Sequence, residues 1–176
     1  MRFSPAAIPG AWRISLEPHA DARGFFARTF CEREFAAAGL VPRFVQCNLS
    51  ANKLRGTLRG MHFQRPPSQE AKVVRCIHGS IYDVILDLRP DSPAFRKWEA
   101  FELSAANRES LYIPAGCAHG FQSLENDTEV FYLMSDFHGP ELAGGVRWND
   151  PAFSILWPIA DPILSDKDRD YPDVIR

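Results

Sequence analysis

The chain has 176 residues, 45% of them hydrophobic, which is enough to bury one sizeable core and short for two full domains, so a single domain over 1–176 is expected. Its 20 basic and 22 acidic residues leave a formal net charge of -2, a balance that argues against nucleic acid or a membrane surface as partner. No run approaches the roughly 18 consecutive apolar residues of a membrane span, and the start MRFSPAAIPGAWRI lacks an apolar signal core. The cysteines at 31, 47, 76 and 117 form no C-x-x-C pair; a soluble cytoplasmic protein with reduced thiols is expected.

Helical periodicity is weak, and one short helix is predicted over 31–38 (CEREFAAA), closed by Gly39 with Pro42 beyond it. The segment LRGMHFQ at 58–64 reads as a strand on which His62 and Gln64 share a face. From 72 to 89 the pattern predicts two strands, VVRCIH and IYDVILDLR, joined as a hairpin by a turn at Gly79-Ser80. Tyr82, Val84, Leu86 and Leu88 make one dry face. Ile81, Asp83, Ile85 and Asp87 make another that mixes apolar with acidic groups, as a barrel wall lining a polar cavity would. Strand-like runs recur at WEAFEL, SLYIP, HGFQSL and EVFYLM, separated by clusters such as 90–93 and Asn126-Asp127. An all-β sandwich or jelly-roll barrel with little helix follows. The tail, 148–176, is rich in Pro and Asp but carries Trp148, Phe153, Ile155 and Trp157, too many large apolar groups for disorder, so an ordered wrap around the barrel is predicted.

Five groups are candidates for chemistry. His62 sits between Met61 and Phe63, where a satisfied core histidine is the plainer reading. The string I-P-A-G-C-A-H-G-F at 113–121 contains P-x-G-x-x-H, a cupin signature, in the turn-then-strand setting that it requires. Metal-binding cupins add an H-x-H pair and a glutamate on an earlier strand; only His62 is present here, so acid/base chemistry without a metal is expected. Arg59 and Lys72 offer cations to a barrel interior if alternation holds, or else surface salt bridges. Tyr132 lies amid apolar residues, where core packing explains a single tyrosine. The cluster L-S-D-K-D at 164–168 alone reads as a solvated turn.

In this order the segments resemble the dTDP-4-dehydrorhamnose 3,5-epimerase family. The carrying strings are R-G-F-F at 23–26, Q-C-N-L-S at 46–50, L-R-G-M-H-F-Q at 58–64, A-K-V-V-R-C at 71–76, G-S-I-Y-D-V-I-L-D-L-R at 79–89, the 113–121 string, W-N-D-P at 148–151 and L-S-D-K-D. The resemblance covers about 23–168. It implies a dimeric cupin-like jelly roll, without metal or cofactor, that inverts the sugar carbons flanking a C4 ketone in a nucleotide-diphosphate sugar. It implies His62 as base, Asp168 as the carboxylate that orients it, Lys72 as the cation near the ketone oxygen and Tyr132 as proton donor on the opposite face. Arg23, Phe26, Arg28, Gln46, Asn48, Arg59, His119, His138 and Lys167 fall at substrate-binding positions by the same resemblance.

Two positions depart from the family pattern. Arg28 stands where a glutamate is common, and His138 where a tyrosine commonly stacks on thymine. The nucleotide thus stays open among dTDP-, CDP- and GDP-linked ketosugars. Inversion of one carbon only is the alternative within this chemistry, and a metal-dependent cupin oxygenase or isomerase the alternative outside it.

Overall fold

The computed structural model describes residues 1–174. Along the described chain run β1 (Arg2–Pro5), β2 (Trp12–Ser15), β3 (His19–Asp21), β4 (Gly24–Phe26), α1 (Glu32–Ala37), β5 (Gln46–Asn52), β6 (Leu58–Gln64) and β7 (Lys72–His78). They are followed by β8 (Ser80–Asp87), β9 (Trp98–Ser104), β10 (Ser110–Ile113), β11 (Cys117–Ser123), β12 (Thr128–Met134), β13 (Ala143–Gly145) and α2 (Asp166–Arg169). Six strands form one antiparallel sheet in the order β1-β2-β10-β7-β12-β5, five form a second in the order β13-β6-β11-β8-β9, and β3 and β4 make a separate arm. This is the all-β jelly roll that the short, regularly spaced apolar runs predict.

Alternation along each strand decides what fills the space between the sheets. Val74 and Cys76 of β7, Leu111 and Ile113 of β10 and Val130 of β12 meet Ile81 and Ile85 of β8, Leu103 of β9 and Phe121 of β11 in one dry cluster. The same inward rows continue to Lys72 on β7 and Tyr132 on β12, where polar groups replace the apolar filling and a cavity opens. The mixed face of β8 does look inward, with Asp83 and Asp87 fully buried. Its dry face looks outward and is covered by the tail: Val84 and Leu86 pack with Met61, Ala118, Phe153 and Ile155, and Trp157 closes the edge. The Trp157 indole donates to the Trp148 carbonyl at 2.8 Å. The tail is thus an ordered wrap through residue 174; residues 175 and 176 lie outside the described chain.

The expected hairpin at 72–89 is not one. β7 pairs with β10 and β12, whereas β8 pairs with β9 and β11, so the chain crosses between sheets at Gly79. A hairpin would put Val74 and Ile81 in one sheet, with their apolar rows side by side. The crossover sets them face to face, and that burial selects it. Gly79 takes φ +71°, and a Cβ there would sit 2.5 Å from the Thr128 hydroxyl.

Helix α1 falls within the predicted 31–38. Six residues are too few to stand alone. What holds them is Phe35, fully buried on the outer face of the six-stranded sheet among Phe3, Phe30, Phe44 and Tyr112. The helix ends as its sequence predicts, with Gly39 at φ +73° and the Leu40 N–H on the Phe35 carbonyl at 3.0 Å.

Candidate active site

Strict alternation on β6 puts Arg59 and His62, three residues apart, on opposite faces. Both nevertheless line the cavity. The ladder shows why: His62 lies opposite His119 and Arg59 opposite Phe121, with the register slipping by one residue between them. At this bulge the backbones close up until Gly60, at φ +128°, faces Gly120; a Cβ on Gly60 would come within 2.5 Å of the Gly120 Cα. Two glycines therefore aim two functional side chains into one space.

The cavity encloses about 460 Å³, with Arg59, His62, Lys72, His119, Tyr132 and Asp168 on its walls. His62 Nε2 lies 2.5 Å from Asp168 Oδ1. Asp168 comes from α2, where the Ser165 hydroxyl caps the helix by accepting the Asp168 N–H at 3.1 Å, so the L-S-D-K-D cluster is a built helix start rather than a solvated turn. Burial pushes the Asp168 carboxyl up, but the bond to His62 and donors from Gly60 and Ser165 outweigh it and hold the group below its ordinary value. With Nε2 engaged by the carboxylate, His62 keeps Nδ1 to take a proton, and the resulting imidazolium has its counter-charge in place.

A second histidine is held likewise: His119 Nε2 lies 2.8 Å from Asp83 Oδ2, on the neighbouring strand. The other carboxylate oxygen of Asp83 is buried with no partner among the described residues. Arg59 is steadied by the Asn52 side-chain carbonyl at 2.8 Å and the Ala51 carbonyl at 3.2 Å. Lys72 Nζ lies 3.2 Å from Glu70 Oε2. Burial pushes the Tyr132 hydroxyl above its ordinary value, with Arg59 opposing and Glu70 adding to the rise, so it holds its proton.

The cavity continues into a second lobe of about 370 Å³ that shares His62, Lys72, Tyr132 and Lys167 and adds Gln46, Asn48 and His138. The Gln46 side chain accepts the His138 N–H at 2.6 Å, fixing the loop that carries His138 and the exposed Phe137. Ten of the thirteen candidate residues are thereby brought together. Arg23, Phe26 and Arg28 are not: Arg23 is 90% exposed and paired with Asp21 on the β3–β4 arm, Arg28 pairs with Glu34, and Phe26 is 70% exposed. Glu70 and Asn52 escaped the reading of single motifs, because each supports a neighbour only through the fold. Asp83 was visible as an acid on the inward row of an apolar strand, but not its pairing with His119, and Ser165 as part of the L-S-D-K-D string, but not its capping role. Among the described residues no three His, Cys, Asp or Glu side chains converge as a metal site.

The chain matches the family model described as dTDP-4-dehydrorhamnose 3,5-epimerase over residues 5–175. It belongs to the dTDP-4-dehydrorhamnose 3,5-epimerase family. The epimerase is 43% identical to the 3,5-epimerase of Methanothermobacter thermautotrophicus over 97% of this chain and 92% of that one. A dTDP-4-dehydrorhamnose 3-epimerase of Streptomyces niveus is 39% identical over 97% and 82% of the two chains. Among solved structures, the Bacillus anthracis 3,5-epimerase with TDP and pyrophosphate bound superposes with a TM-score of 0.95 at 39% identity, covering 98% of this epimerase and 99% of that chain. The fold is therefore of cupin type. No helix of the described epimerase is long and apolar enough to cross a membrane.

Proposed function

We propose that this cavity inverts C3 and C5 of a dTDP-linked 4-keto-6-deoxy hexose through an enolate. The ketone acidifies its α-protons. His62, backed by Asp168, removes one, Lys72 meets the negative charge that develops on the ketone oxygen, and Tyr132 returns a proton from the other side. A fixed donor of this kind supplies on the order of 3 kcal/mol of transition-state stabilisation. The observation that carries the reading is the placement of base and acid: His62 projects from the five-stranded sheet and Tyr132 from the six-stranded sheet, on opposed walls of one cavity. A flat enolate between those walls presents one face to each, so the returned proton inverts the carbon. His119, Arg59, Gln46, Asn48, Lys167 and His138 then hold the sugar, diphosphate and base. Solvent deuterium followed at C3 and C5 by NMR tests this: His62→Ala stops exchange at both carbons, and Tyr132→Phe leaves exchange while blocking net inversion. Full inversion by Tyr132→Phe refutes the acid role, and label at one carbon only refutes the two-centre reading.

We infer further that the enzyme is a homodimer in the cytoplasm, the latter supported by four unpaired cysteines. Arg23 and Phe26 lie outside their own chain's cavity on an arm whose Phe25 and Phe26 rings stand exposed, which suits a limb completing the site of a second copy. Mixing inactive Arg23→Ala and His62→Ala chains then restores about a quarter of the wild-type sites; no recovery refutes the shared site. A thermal-shift panel of dTDP, CDP, GDP and UDP tests the base, since the preferred ligand raises apparent stability most.

A further inference from the structure

One buried charge on the cavity wall has no part in that chemistry. Glu70, just ahead of β7, has a side chain only 3% exposed, and its Oε2 faces the 13% exposed Lys72 ammonium at 3.2 Å. Burying a carboxylate is costly and requires a partner. Here the partner is the one cation that the proposed reaction needs at a developing negative charge. A lysine head is a point charge on a four-carbon stem, and free of restraint it samples many positions. The carboxylate that restrains it is itself anchored. The Gln64 amide nitrogen lies 3.3 Å from Glu70 Oε1, 3.3 Å from the Ser68 hydroxyl and 3.2 Å from the Phe137 carbonyl. The Gln64 amide oxygen accepts the Gly139 N–H at 2.7 Å, and Ser68 donates to Asp136 at 2.7 Å.

We propose that Glu70 is a positioning residue that pins the Lys72 ammonium where the enolate oxygen forms, through a carboxylate that Gln64 anchors to the 136–139 loop. The inference rests on the reading that Lys72 meets the enolate. Lys72 shares the cavity with His62 and Arg59 of β6, His119 of β11, Tyr132 of β12 and Lys167 and Asp168 of α2. Of these, Tyr132 also responds to Glu70, whose charge helps to keep its hydroxyl protonated.

The test uses the full chain with Glu70→Ala and Glu70→Gln. Only four lysines occur, at 53, 72, 97 and 167, so lysine labelled with ¹³C at Cε gives a readable Lys72 signal. In Glu70→Ala, kcat falls on the order of tenfold to a hundredfold while KM stays within about twofold, and the Lys72 resonance sharpens as the head becomes mobile while Lys53 and Lys97 do not change. Glu70→Gln, which keeps an acceptor, falls between wild type and Glu70→Ala, and because the Glu70 charge is one of the causes that raise the Tyr132 hydroxyl, the limb of inversion set by Tyr132 moves to lower pH. Unchanged kcat, a raised KM with intact kcat, or an unchanged Lys72 resonance overturns the proposal. If Glu70→Ala does not fold, the same readouts on Glu70→Gln decide. Lys72→Met separates the two levels: full activity there overturns the role of Lys72 itself, whereas an inactive Lys72→Met beside normal Glu70 variants overturns only the role of Glu70.

Discussion

Replacing Asp168 by Asn removes one charge and almost no volume, and so isolates what the carboxylate does for His62. The Ser165 cap binds the backbone N–H of residue 168 and survives the change. The 2.5 Å contact to the imidazole loses its ionic character. A hydrogen bond to a charged group contributes about 1.5–3 kcal/mol, and opposite unit charges about 4 Å apart at an effective dielectric of about 20 attract by about 4 kcal/mol. His62 is 39% exposed, so solvent screens part of that attraction and the smaller figure is the better guide. At about 1.4 kcal/mol per decade, kcat for deuterium exchange falls on the order of 10- to 100-fold from lost charge, and further if the amide turns the ring to its other tautomer. KM changes little, because the imidazolium exists only after the proton has moved. Exchange by Asp168→Asn at more than half the wild-type rate, in protein with an unaltered melting curve, refutes the dyad.

Other outcomes follow from the same geometry. Because the Asp168 carboxyl is held below its ordinary value in the folded chain, its contribution to stability is full above the ordinary carboxylate range and is lost as pH falls through the folded value; Asp168→Asn should flatten that part of the acid limb in denaturant titrations. Gly60→Ala adds a Cβ 2.5 Å from the Gly120 Cα at φ +128°, costing at least about 2 kcal/mol or about 4–8 °C in Tm, and lowers activity because the bulge aims both Arg59 and His62; an active variant with a wild-type Tm refutes that role. Burial pushes the Cys76 and Cys117 thiols up to about 11 and about 12, so at pH 8 both resist a thiol reagent until denaturant is added, and rapid native labelling of either contradicts the packing.

Much of this protein is legible in its sequence, for local reasons. Period-two alternation announces β8 to β12, Gly39 ends the helix, and the large apolar residues of the tail foretell its docking. The inward row of β8 shows itself through Asp83 and Asp87, since acids recur on an apolar strand only where something answers them. The motif strings named the family before any distance was known.

What the sequence did not decide is what depends on partners far along the chain. The turn at Gly79 has the same local chemistry in a hairpin or a crossover, and only the burial of Val74 and Cys76 against Ile81 and Ile85 selects the crossover. Counting by twos separates Arg59 from His62; the bulge at Gly60, set by the approach of Gly120 on another strand, unites them. By its local string alone Asp168 reads as part of a solvated turn, and only the family resemblance pairs it with His62; α2 supplies the physical reason, carrying it across 106 residues of sequence to the imidazole, and Glu70 is one more surface acid until Gln64 and Lys72 close around it. Alternation, caps and turn residues act over a few residues and can be read one string at a time, whereas the charge partners of this site are supplied by packing.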